Sequence, residues 1–388
     1  MDDQKELRCS FCGAGSNEVE KLIKGMNAYI CNVCISDGFD LIQEHKSLKK
    51  ASSKKSSKNE YPTPKEIVTH LDQFVIGQDT AKKTLSVGVY NHYKRVGRST
   101  KTELAKSNIL IVGPTGSGKT HIVENIAKYL KVPFATVDAT SLTEAGYVGD
   151  DVDSVLVRLL QAADGDVKKA ERGIVYIDEI DKIASRESRG RDIGGEGVQQ
   201  SLLKMLEGST VSINPSGKKN GHSPLEQMET KNILFICGGA FSGMTDKSNN
   251  AKRIVSLSST DQKQAEAEER VRHKDIIKYG MIPEFVGRFP VLAELKALRI
   301  EDMVKILTEP KNSLVKQYQE LLSLDGVKLE FTQEFLEAVA KKANDEGTGA
   351  RGLRAILEPI LTDIMFDAPE ASETAKEVTV TIEYLEKK

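Results

Sequence analysis

The segment from Asn108 to Thr120, NILIVGPTGSGKT, constrains the fold more than any other stretch of this chain. It begins as an apolar strand and continues into the pattern Gly-x4-Gly-Lys-Thr. The residues that follow place Ile122, Ile126 and Leu130 at the spacing of one helical face. Glycines let successive backbone amides turn inward around phosphate groups, and a helix N-terminus favours the same negative charge. A strand, a glycine-rich loop and a helix in this order predict a nucleoside triphosphate site.

Each residue of this loop has a predicted role in holding the nucleotide. Lys119 is expected to reach the β and γ phosphates, and the Thr120 hydroxyl is expected to bind Mg²⁺. The other predicted nucleotide-binding residues form the loop or flank it: Gly113, Pro114, Thr115, Gly116, Ser117, Gly118 and His121. Since the chain contains no Asn-Lys-x-Asp guanine signature, the predicted nucleotide is ATP rather than GTP.

The segment GIVYIDEID is an apolar run that ends in Asp178 and Glu179. In an ATPase of this kind, one carboxylate belongs to the Mg²⁺ shell and another residue orients and deprotonates the attacking water. Asp178 is therefore the predicted magnesium ligand and Glu179 the predicted general base. Positive charge must also meet the γ phosphate in the transition state. Arg288 in PEFVGRF and Arg351 in GTGARGLR are candidates by context, and the alternative is that both are solvated surface charges.

Four short apolar runs alternate with longer helical patterns: NILIV, VPFATV, GIVYI and NILFIC. This alternation is typical of an α/β fold in which helices cover both faces of a parallel sheet. Cys237, in the last run, is expected to be a small core residue. After the second run, Asp150 is expected to cap a helix with one apolar stripe. The stripe consists of Val152, Val155, Leu156, Leu159 and Leu160.

Four of the five cysteines lie near the N-terminus as two Cys-x2-Cys pairs, Cys9 with Cys12 and Cys31 with Cys34. Two tight turns that each present two thiolates complete a tetrahedral zinc site with no open position. Two disulfides are the alternative, but a reducing cytosol disfavours them. Because so short a segment buries too little apolar surface to fold alone, Zn²⁺ is expected to stabilise a module at 1–48.

The overall composition is that of a soluble globular protein, with 39% apolar residues, 29% charged residues and a net charge of −2. This charge gives no general attraction to nucleic acid or to a membrane surface. No apolar run approaches the roughly 20 residues that span a bilayer, and the polar start MDDQKELRCS is unlike a signal peptide. A cytoplasmic location is predicted. Residues 49–63, rich in lysine and serine, are predicted to be a flexible linker.

The order of these motifs resembles the ClpX family of AAA+ unfoldases. The resemblance covers nearly the whole chain, with HLDQFVIGQDTAKK, GPTGSGKT, EAGYVGDD, IVYIDEIDKI, GEGVQQSLLKMLEG, ILFICGGAF, IPEFVGRFPV and GTGARGLR. It implies an AAA+ large ATPase domain at 64–295 and a smaller, mainly helical lid domain at 296–388. Six subunits would form a homohexameric ring that hydrolyses ATP to unfold and translocate protein substrates.

The resemblance also implies roles for individual residues. Val75 and Ile76 in FVIGQ would contact the adenine. Arg288 would act as an arginine finger that reaches the nucleotide of the adjacent subunit. Arg351 would report the nucleotide to the small domain of its own subunit. The zinc module would dimerise and capture adaptors or substrates.

An aromatic and an aliphatic residue, Tyr147 and Val148, lie between two glycines in EAGYVGDD. In a ring of six subunits these side chains would line the axial channel. There they would grip any polypeptide by steric contact and dispersion, without reading its sequence. The alternative is that Tyr147 folds back onto its own domain.

One segment departs from the pattern of the family. Members that dock on the ClpP peptidase carry an exposed loop that ends in an aliphatic residue, Gly and Phe, but residues 242–275 contain no such tripeptide. Because an apolar anchor dominates a peptide-in-pocket contact, docking on ClpP is expected to be weak or absent. Two other functions stay open: a DNA-remodelling AAA+ ATPase, suggested by the zinc module and the lysine-rich linker, and an assembly factor that binds ATP without turnover.

Overall fold

A computed structural model describes residues 7–39, 61–98, 101–143, 150–185, 195–214, 226–244, 271–371 and 377–386. The chain divides into two compact units, Met1–Glu60 and Tyr61–Lys388. Most of the predicted linker, residues 49–60, lies outside the described residues.

The N-terminal unit contains little regular structure and little buried surface. Strands β1 (Leu22–Lys24) and β2 (Tyr29–Cys31) pair in an antiparallel sheet, and helix α1 follows at residues 32–39. Among residues 7–39, the buried ones are Cys9, Gly15 and Cys31. Two of these three carry thiols, so the cysteine cluster occupies the place that an apolar core fills in a larger domain.

The second unit alternates strands with helices along the chain. Its strands are β3 (Ile109–Val112), β4 (Phe134–Asp138), β5 (Leu142–Thr143), β6 (Asp150–Asp151), β7 (Ile174–Asp178), β8 (Thr210–Ile213), β9 (Glu226–Glu229), β10 (Leu234–Gly239), β11 (Val291–Glu294), β12 (Lys328–Phe331) and β13 (Glu377–Val380). Its helices are α2 (Pro64–Leu71), α3 (Asp79–Gly97), α4 (Lys119–Leu130), α5 (Ser154–Ala162), α6 (Val167–Ala170), α7 (Gly195–Glu207), α8 (His273–Tyr279), α9 (Pro283–Gly287), α10 (Ile300–Thr308), α11 (Leu314–Leu324), α12 (Gln333–Asp345), α13 (Ala350–Ala371) and α14 (Glu383–Glu386).

A five-stranded parallel sheet with the strand order β11–β3–β10–β7–β4 forms the centre of this unit. Alternate residues of its strands enter two different apolar clusters. On β3, for example, Leu110 and Val112 belong to one cluster, whereas Ile109 and Ile111 belong to the other. Cys237 is fully buried in the first cluster. The predicted α/β fold, with a parallel sheet covered on both faces, is confirmed, and β11 is a strand that the sequence analysis does not identify.

The helix predicted after Asp150 begins later than expected. Asp150 belongs to β6, which pairs in parallel with Leu142 of β5, and helix α5 starts only at Ser154 with Asp153 as its N-cap residue. The predicted capping role of Asp150 is therefore wrong, because the chain first extends to complete this strand pair. The predicted apolar stripe is buried: Val152, Val155, Leu156, Leu159 and Leu160.

The C-terminal part of the unit is mainly helical. A third apolar cluster begins at Met303 and draws its members mainly from helices α10 to α13, together with Leu329 of β12 and Val380 of β13. The terminal run KEVTVTIEYL is a strand only over β13, which pairs in parallel with β12 before helix α14 begins. The domain boundary between 295 and 296 stays a prediction, although Leu295 packs in a cluster of the central sheet and Leu298 packs against the third cluster. No helix in the described residues has the length and apolar character of a membrane span.

Candidate nucleotide site and zinc centre

The loop between β3 and α4 borders a cavity of about 370 Å³. Gly116 and Gly118 adopt φ angles of 75° and 96°, in the left-handed region that glycine tolerates best. Gly116 also lies against the start of the C-terminal helical part, because a Cβ added there would fall 2.5 Å from the carbonyl oxygen of Thr348. The Ala350 backbone amide donates to the Gly116 carbonyl oxygen at 3.3 Å. The loop therefore needs glycine both for its turn and for a close backbone contact.

The Lys119 side chain is folded into this loop. Its Nζ atom donates to the carbonyl oxygens of Gly113 at 2.7 Å and Pro114 at 3.1 Å. Burial lowers the pKa of Lys119, and the positive charge of Arg351 acts in the same direction, whereas Asp178 opposes the shift. An anionic phosphate group in the loop would relieve both unfavourable effects by accepting the hydrogen bonds of the ammonium group.

The carboxylate of Asp178, at the end of β7, accepts three hydrogen bonds. The Thr120 hydroxyl donates to Oδ2 at 2.8 Å, the Tyr176 hydroxyl donates to Oδ1 at 3.2 Å, and the backbone amide of Glu179 donates to Oδ1 at 2.9 Å. The two predicted magnesium ligands, Thr120 and Asp178, are thus in direct contact. Since Mg²⁺ prefers oxygen ligands and usually shares them with substrate phosphates, this pair fits a nucleotide-bound magnesium ion.

Glu179 has a left-handed backbone with a φ of 54°, which is unfavourable for a residue other than glycine. Such conformations cost on the order of 1–3 kcal/mol and are concentrated at functional sites. Hydrogen bonds on both sides hold Glu179 in place: its amide donates to Asp178, and its carbonyl oxygen accepts from the amide of Lys182 at 2.9 Å. The residue lines the same cavity as Lys119 and Thr120, so the structure brings the predicted base to the predicted phosphate site.

Asp181 is a buried member of the site that sequence analysis does not identify. Its carboxylate accepts from the backbone amides of Ala240 at 3.0 Å and Phe241 at 3.3 Å, just after β10. Asp181 lines the cavity, as do Ala240 and Ser242. The second aspartate of DEID was the available signal for this contact, but its partners follow a distant strand.

The two predicted arginines lie in different places. Arg351 lines the cavity with Lys119 and Glu179. Arg288 is not among the described residues that line it, and instead forms an ion pair with Glu207, in which both side chains are about half exposed. The side-chain amide of Asn108 donates to the carbonyl oxygen of Arg288 at 3.1 Å. A single chain therefore brings only Arg351 to its own nucleotide site.

The remaining predicted nucleotide contacts are also divided. His121 lines the cavity, and the Ser117 hydroxyl donates to the carbonyl oxygen of Pro114 at 2.7 Å. Val75 is buried in an apolar cluster, and Ile76 lines a second cavity of about 480 Å³. Neither Val75 nor Ile76 is among the described residues that line the P-loop cavity. The predicted channel residues Tyr147 and Val148 lie outside the described residues.

The four cysteines of the N-terminal unit converge, with all Sγ atoms within 4.8 Å of one another. The distances are 4.0 Å between Cys9 and Cys34 and 3.7 Å between Cys12 and Cys31. Tetrahedral ligation with Zn–S bonds of about 2.3 Å corresponds to sulfur separations of about 3.8 Å. Backbone amides add further order, since Cys31 donates to the sulfur of Cys9 at 3.3 Å and Cys34 donates to the sulfur of Cys31 at 3.4 Å.

The thiols of this cluster strongly affect one another. A hydrogen bond from the Cys12 backbone is the largest cause that lowers the pKa of Cys9 to about 6. The side chain of Cys12 is the largest cause that raises the pKa of Cys34 to about 12. Four thiolates at these distances would repel one another without a cation between them. The donor set therefore fits a structural Zn²⁺ ion.

Models of three protein families match three separate segments of the chain. Residues 104–292 match the AAA domain (Cdc48 subfamily), and residues 298–382 match the C-terminal, D2-small domain, of ClpB protein. Residues 7–44 match the ClpX C4-type zinc finger. Together with the P-loop cavity, these matches define the chain as an AAA ATPase whose cofactors are ATP, Mg²⁺ and Zn²⁺.

Two relatives extend the comparison to nearly the full length of the chain. The ATP-dependent Clp protease ATP-binding subunit ClpX 2 of Wolinella succinogenes is 50% identical over 384 residues, which are 97% of this chain and 95% of the relative. The ATP-dependent Clp protease ATP-binding subunit ClpX of Bacteroides thetaiotaomicron is 48% identical over 398 residues, with 99% and 96% covered. The chain belongs to the ClpX family.

Proposed function

We propose that this protein is an ATP-driven unfoldase that assembles into a ring of six subunits and pulls protein substrates through a central channel. One observation carries the proposal: a single cavity collects Lys119, Thr120, Asp178 and Glu179 together with Arg351 from the C-terminal helical part. The phosphate site therefore lies where the part of the chain that contains the central sheet meets the C-terminal helical part. This arrangement suits an enzyme that converts hydrolysis into movement.

The residues of the cavity divide the work of hydrolysis. Bound ATP with Mg²⁺ supplies the phosphoryl group whose transfer to water drives the cycle. Lys119 exchanges its contacts with two loop carbonyls for phosphate oxygens, and Thr120 and Asp178 are the residues that would hold the metal. Glu179 orients the attacking water and accepts its proton. Arg351, at the start of α13, gives the C-terminal part a charge that senses the nucleotide.

Substitution of the proposed base tests the catalytic part of this proposal. Glu179→Gln keeps the size of the side chain but removes its ability to accept a proton. The rate of ATP hydrolysis is expected to fall by about 10²- to 10⁴-fold, while binding of a fluorescent ATP analogue and assembly remain. Unfolding of a stable fluorescent reporter protein should stop as well. Hydrolysis at the original rate would overturn the assigned role of Glu179.

A second substitution separates hydrolysis from pulling. Tyr147→Ala removes the proposed aromatic grip and leaves the sequence of all described cavity-lining residues unchanged. ATP hydrolysis should continue, and the rate at which the reporter loses fluorescence should fall. Unchanged unfolding would contradict the channel role of Tyr147. If the chain hydrolyses ATP but never unfolds the reporter, the DNA-remodelling alternative replaces the unfoldase, whereas undetectable hydrolysis would favour the assembly factor.

The relation to a peptidase is part of the same proposal. Both relatives are described as ATP-binding subunits of the Clp protease. In this chain, residues 242–275 lack the aliphatic-Gly-Phe tripeptide, and most of this segment lies outside the described residues. We therefore expect unfolding with little degradation when ClpP is added to the protein, ATP and a tagged substrate. Robust ATP-dependent degradation would show that docking uses another contact.

A further inference from the structure

A buried tyrosine hydroxyl contacts the proposed magnesium ligand. Tyr176 and Asp178 are two residues apart on β7, so their side chains lie on the same face of the strand. The Tyr176 side chain is fully buried, and its hydroxyl donates to Oδ1 of Asp178 at 3.2 Å. The Tyr176 ring packs in the apolar cluster that also contains Ile174 and Ile236.

The neighbouring strand provides the space that this hydroxyl needs. Ile236 of β10 is in register with Tyr176 and Cys237 with Ile177, so Gly238 follows at the end of β7 that carries Asp178. A Cβ added to Gly238 would fall 2.1 Å from the Tyr176 hydroxyl oxygen and 2.8 Å from Cζ. The backbone of Gly238 does not have a positive φ, so its conformation does not require glycine. The close approach of the hydroxyl explains the residue instead.

The two oxygens of the Asp178 carboxylate therefore have different surroundings. Oδ1 accepts from the Tyr176 hydroxyl and from the Glu179 amide, both of which belong to β7 or its immediate continuation. Oδ2 accepts only from Thr120, the other proposed metal ligand, among the contacts of the described residues. The side of the carboxylate that faces Thr120 is the one on which a metal ion would be shared.

We infer that Tyr176 is a positioning residue for the magnesium site, which holds Oδ1 of Asp178 so that Oδ2 is directed toward Thr120 and the metal, and that Gly238 is the residue that leaves room for this contact. The inference rests on the proposed role of Asp178 as a metal ligand. Outer-shell partners of this kind typically contribute a factor of about 10 to 100 in metal affinity or activity. Tyr176 is not among the described residues that line the nucleotide cavity, so its hydroxyl would act on the metal through the carboxylate.

The test is Tyr176→Phe in the full-length chain, which removes one oxygen atom from a buried ring. Tyr93→Phe is the matched control, because Tyr93 is equally buried and donates to the carbonyl oxygen of Arg172 at 3.1 Å. The Kd of Mn²⁺, measured by electron paramagnetic resonance with a non-hydrolysable ATP analogue, should rise about 10-fold in Tyr176→Phe and stay unchanged in Tyr93→Phe. Nucleotide affinity in EDTA should be the same in all three proteins.

Saturating Mg²⁺ should restore most of the ATPase rate of Tyr176→Phe, since only the metal affinity is affected. The inference is overturned if the Kd of Mn²⁺ is unchanged, if both variants shift it equally, or if Tyr176→Phe also loses nucleotide affinity in EDTA. A wild-type chain that binds no Mn²⁺ with the nucleotide would contradict the proposed function, which is a different result. The two failures are therefore distinguishable.

Gly238→Ala adds a second readout that a general loss of stability would not reproduce. In the wild-type background, the added methyl group displaces the hydroxyl and should raise the Kd of Mn²⁺ by a factor similar to that of Tyr176→Phe. In the Tyr176→Phe background it should add less than about two-fold, because residues that act through one contact are not additive. Independent, multiplicative effects of the two substitutions would contradict the shared route.

Discussion

The zinc centre and the nucleotide site both hold a metal ion, but the protein around them differs completely. In the N-terminal unit, the ligand residues Cys9 and Cys31 are themselves most of what is buried among residues 7–39. At the nucleotide site, the proposed magnesium ligands Thr120 and Asp178 are placed by a helix and a strand whose apolar residues fill two clusters. The metal is a condition for folding in the first case. In the second case, folding creates the metal site.

This difference separates structural from catalytic use of a metal. Four thiolates leave no coordination position for a reactant, so the zinc ion stabilises the fold of the small N-terminal unit and takes no part in catalysis. The proposed ligands, a hydroxyl and a carboxylate, would leave most positions of Mg²⁺ to phosphate and water, and the surrounding sheet keeps the two side chains in place. Removal of Zn²⁺ is therefore expected to unfold the N-terminal unit, whereas removal of Mg²⁺ is expected to stop hydrolysis and leave the second unit folded.

The largest expected effect is the loss of the N-terminal fold when zinc is removed. Structural zinc contributes about 10–16 kcal/mol in small domains, which is more than this unit can replace by apolar burial. Treatment with a strong chelator should abolish the dispersed amide NMR signals of residues 7–39. The thermal transition of the second unit should remain where it was. Retention of the dispersed signals in metal-free protein would contradict the comparison.

A large-to-small substitution in the core of the second unit should destabilise that unit and leave the zinc-binding unit unaffected. Phe235 on β10 is fully buried, and the Lys106 ammonium group lies 4.5 Å from the centre of its ring. Phe235→Ala is expected to lower the free energy of unfolding of the second unit by about 3–5 kcal/mol, measured by denaturant titration. The zinc content should not change. The exposed Phe366 provides the control, since Phe366→Ala should change stability by less than about 0.5 kcal/mol.

A smaller effect should appear at acid pH, because the second unit buries a histidine. Burial lowers the pKa of His92 to about 3, from an ordinary value of 6.5. Between these two values the unfolded chain binds a proton that the folded chain does not, so stability falls as the pH falls from 6.5 toward 3. His92→Gln removes this contribution. Between pH 7.5 and 5.5, the wild type should lose about 1 kcal/mol more than the variant, by parallel denaturant titrations.

Equal losses of stability in the two proteins would show that His92 is protonated in the folded chain. That result would mean that water reaches His92, despite its hydrogen bond to the carbonyl oxygen of Asn232 at 3.0 Å. The core of the second unit would then be less closed than its burial indicates.

The smallest effect should come from surface charge. Lys328 pairs with Glu330 and Glu377 across the edge of β12 and β13, where all three side chains are substantially exposed. Neighbouring carboxylates raise the pKa of Lys328. Lys328→Ala should nevertheless lower the free energy of unfolding far less than Phe235→Ala, and the loss should shrink as salt is added. A loss comparable with that of Phe235→Ala would mean that this strand pair depends on charge rather than on its apolar cluster.

Local motifs account for most of the predicted site residues that the structure brings together at one cavity or in one cysteine cluster. The P-loop, the Asp178–Glu179 pair and the two Cys-x2-Cys turns each consist of residues close together in the chain, so spacing alone is informative. The four apolar runs likewise identify four of the five strands of the central sheet. In the fifth strand, Val291–Glu294, Val291 is the only β-branched or aromatic residue, so the strand signal is weak.

Contacts between distant segments are what sequence reasoning misses. The bond from Tyr176 to Asp178 depends on Gly238, and the register of β7 with β10 is not visible in either strand alone. Asp181 likewise finds its partners on a segment about 60 residues away, after β10. The false capping role of Asp150 has the same origin, because its pairing with Leu142 is a tertiary contact that overrides a local helix signal.

Gly116 and Gly349 meet with no side chain between them, since the Cα of Gly349 would lie 3.0 Å from a Cβ on Gly116. Packed protein has low compressibility, and this contact is between two backbones. No side chain lies between them that could change rotamer and absorb a displacement. When the phosphate loop shifts, the start of α13 must follow or the hydrogen bond between Gly116 and Ala350 must break. Because helix α13 packs in the third apolar cluster, a displacement that reaches its first turn also reaches the core of the C-terminal helical part.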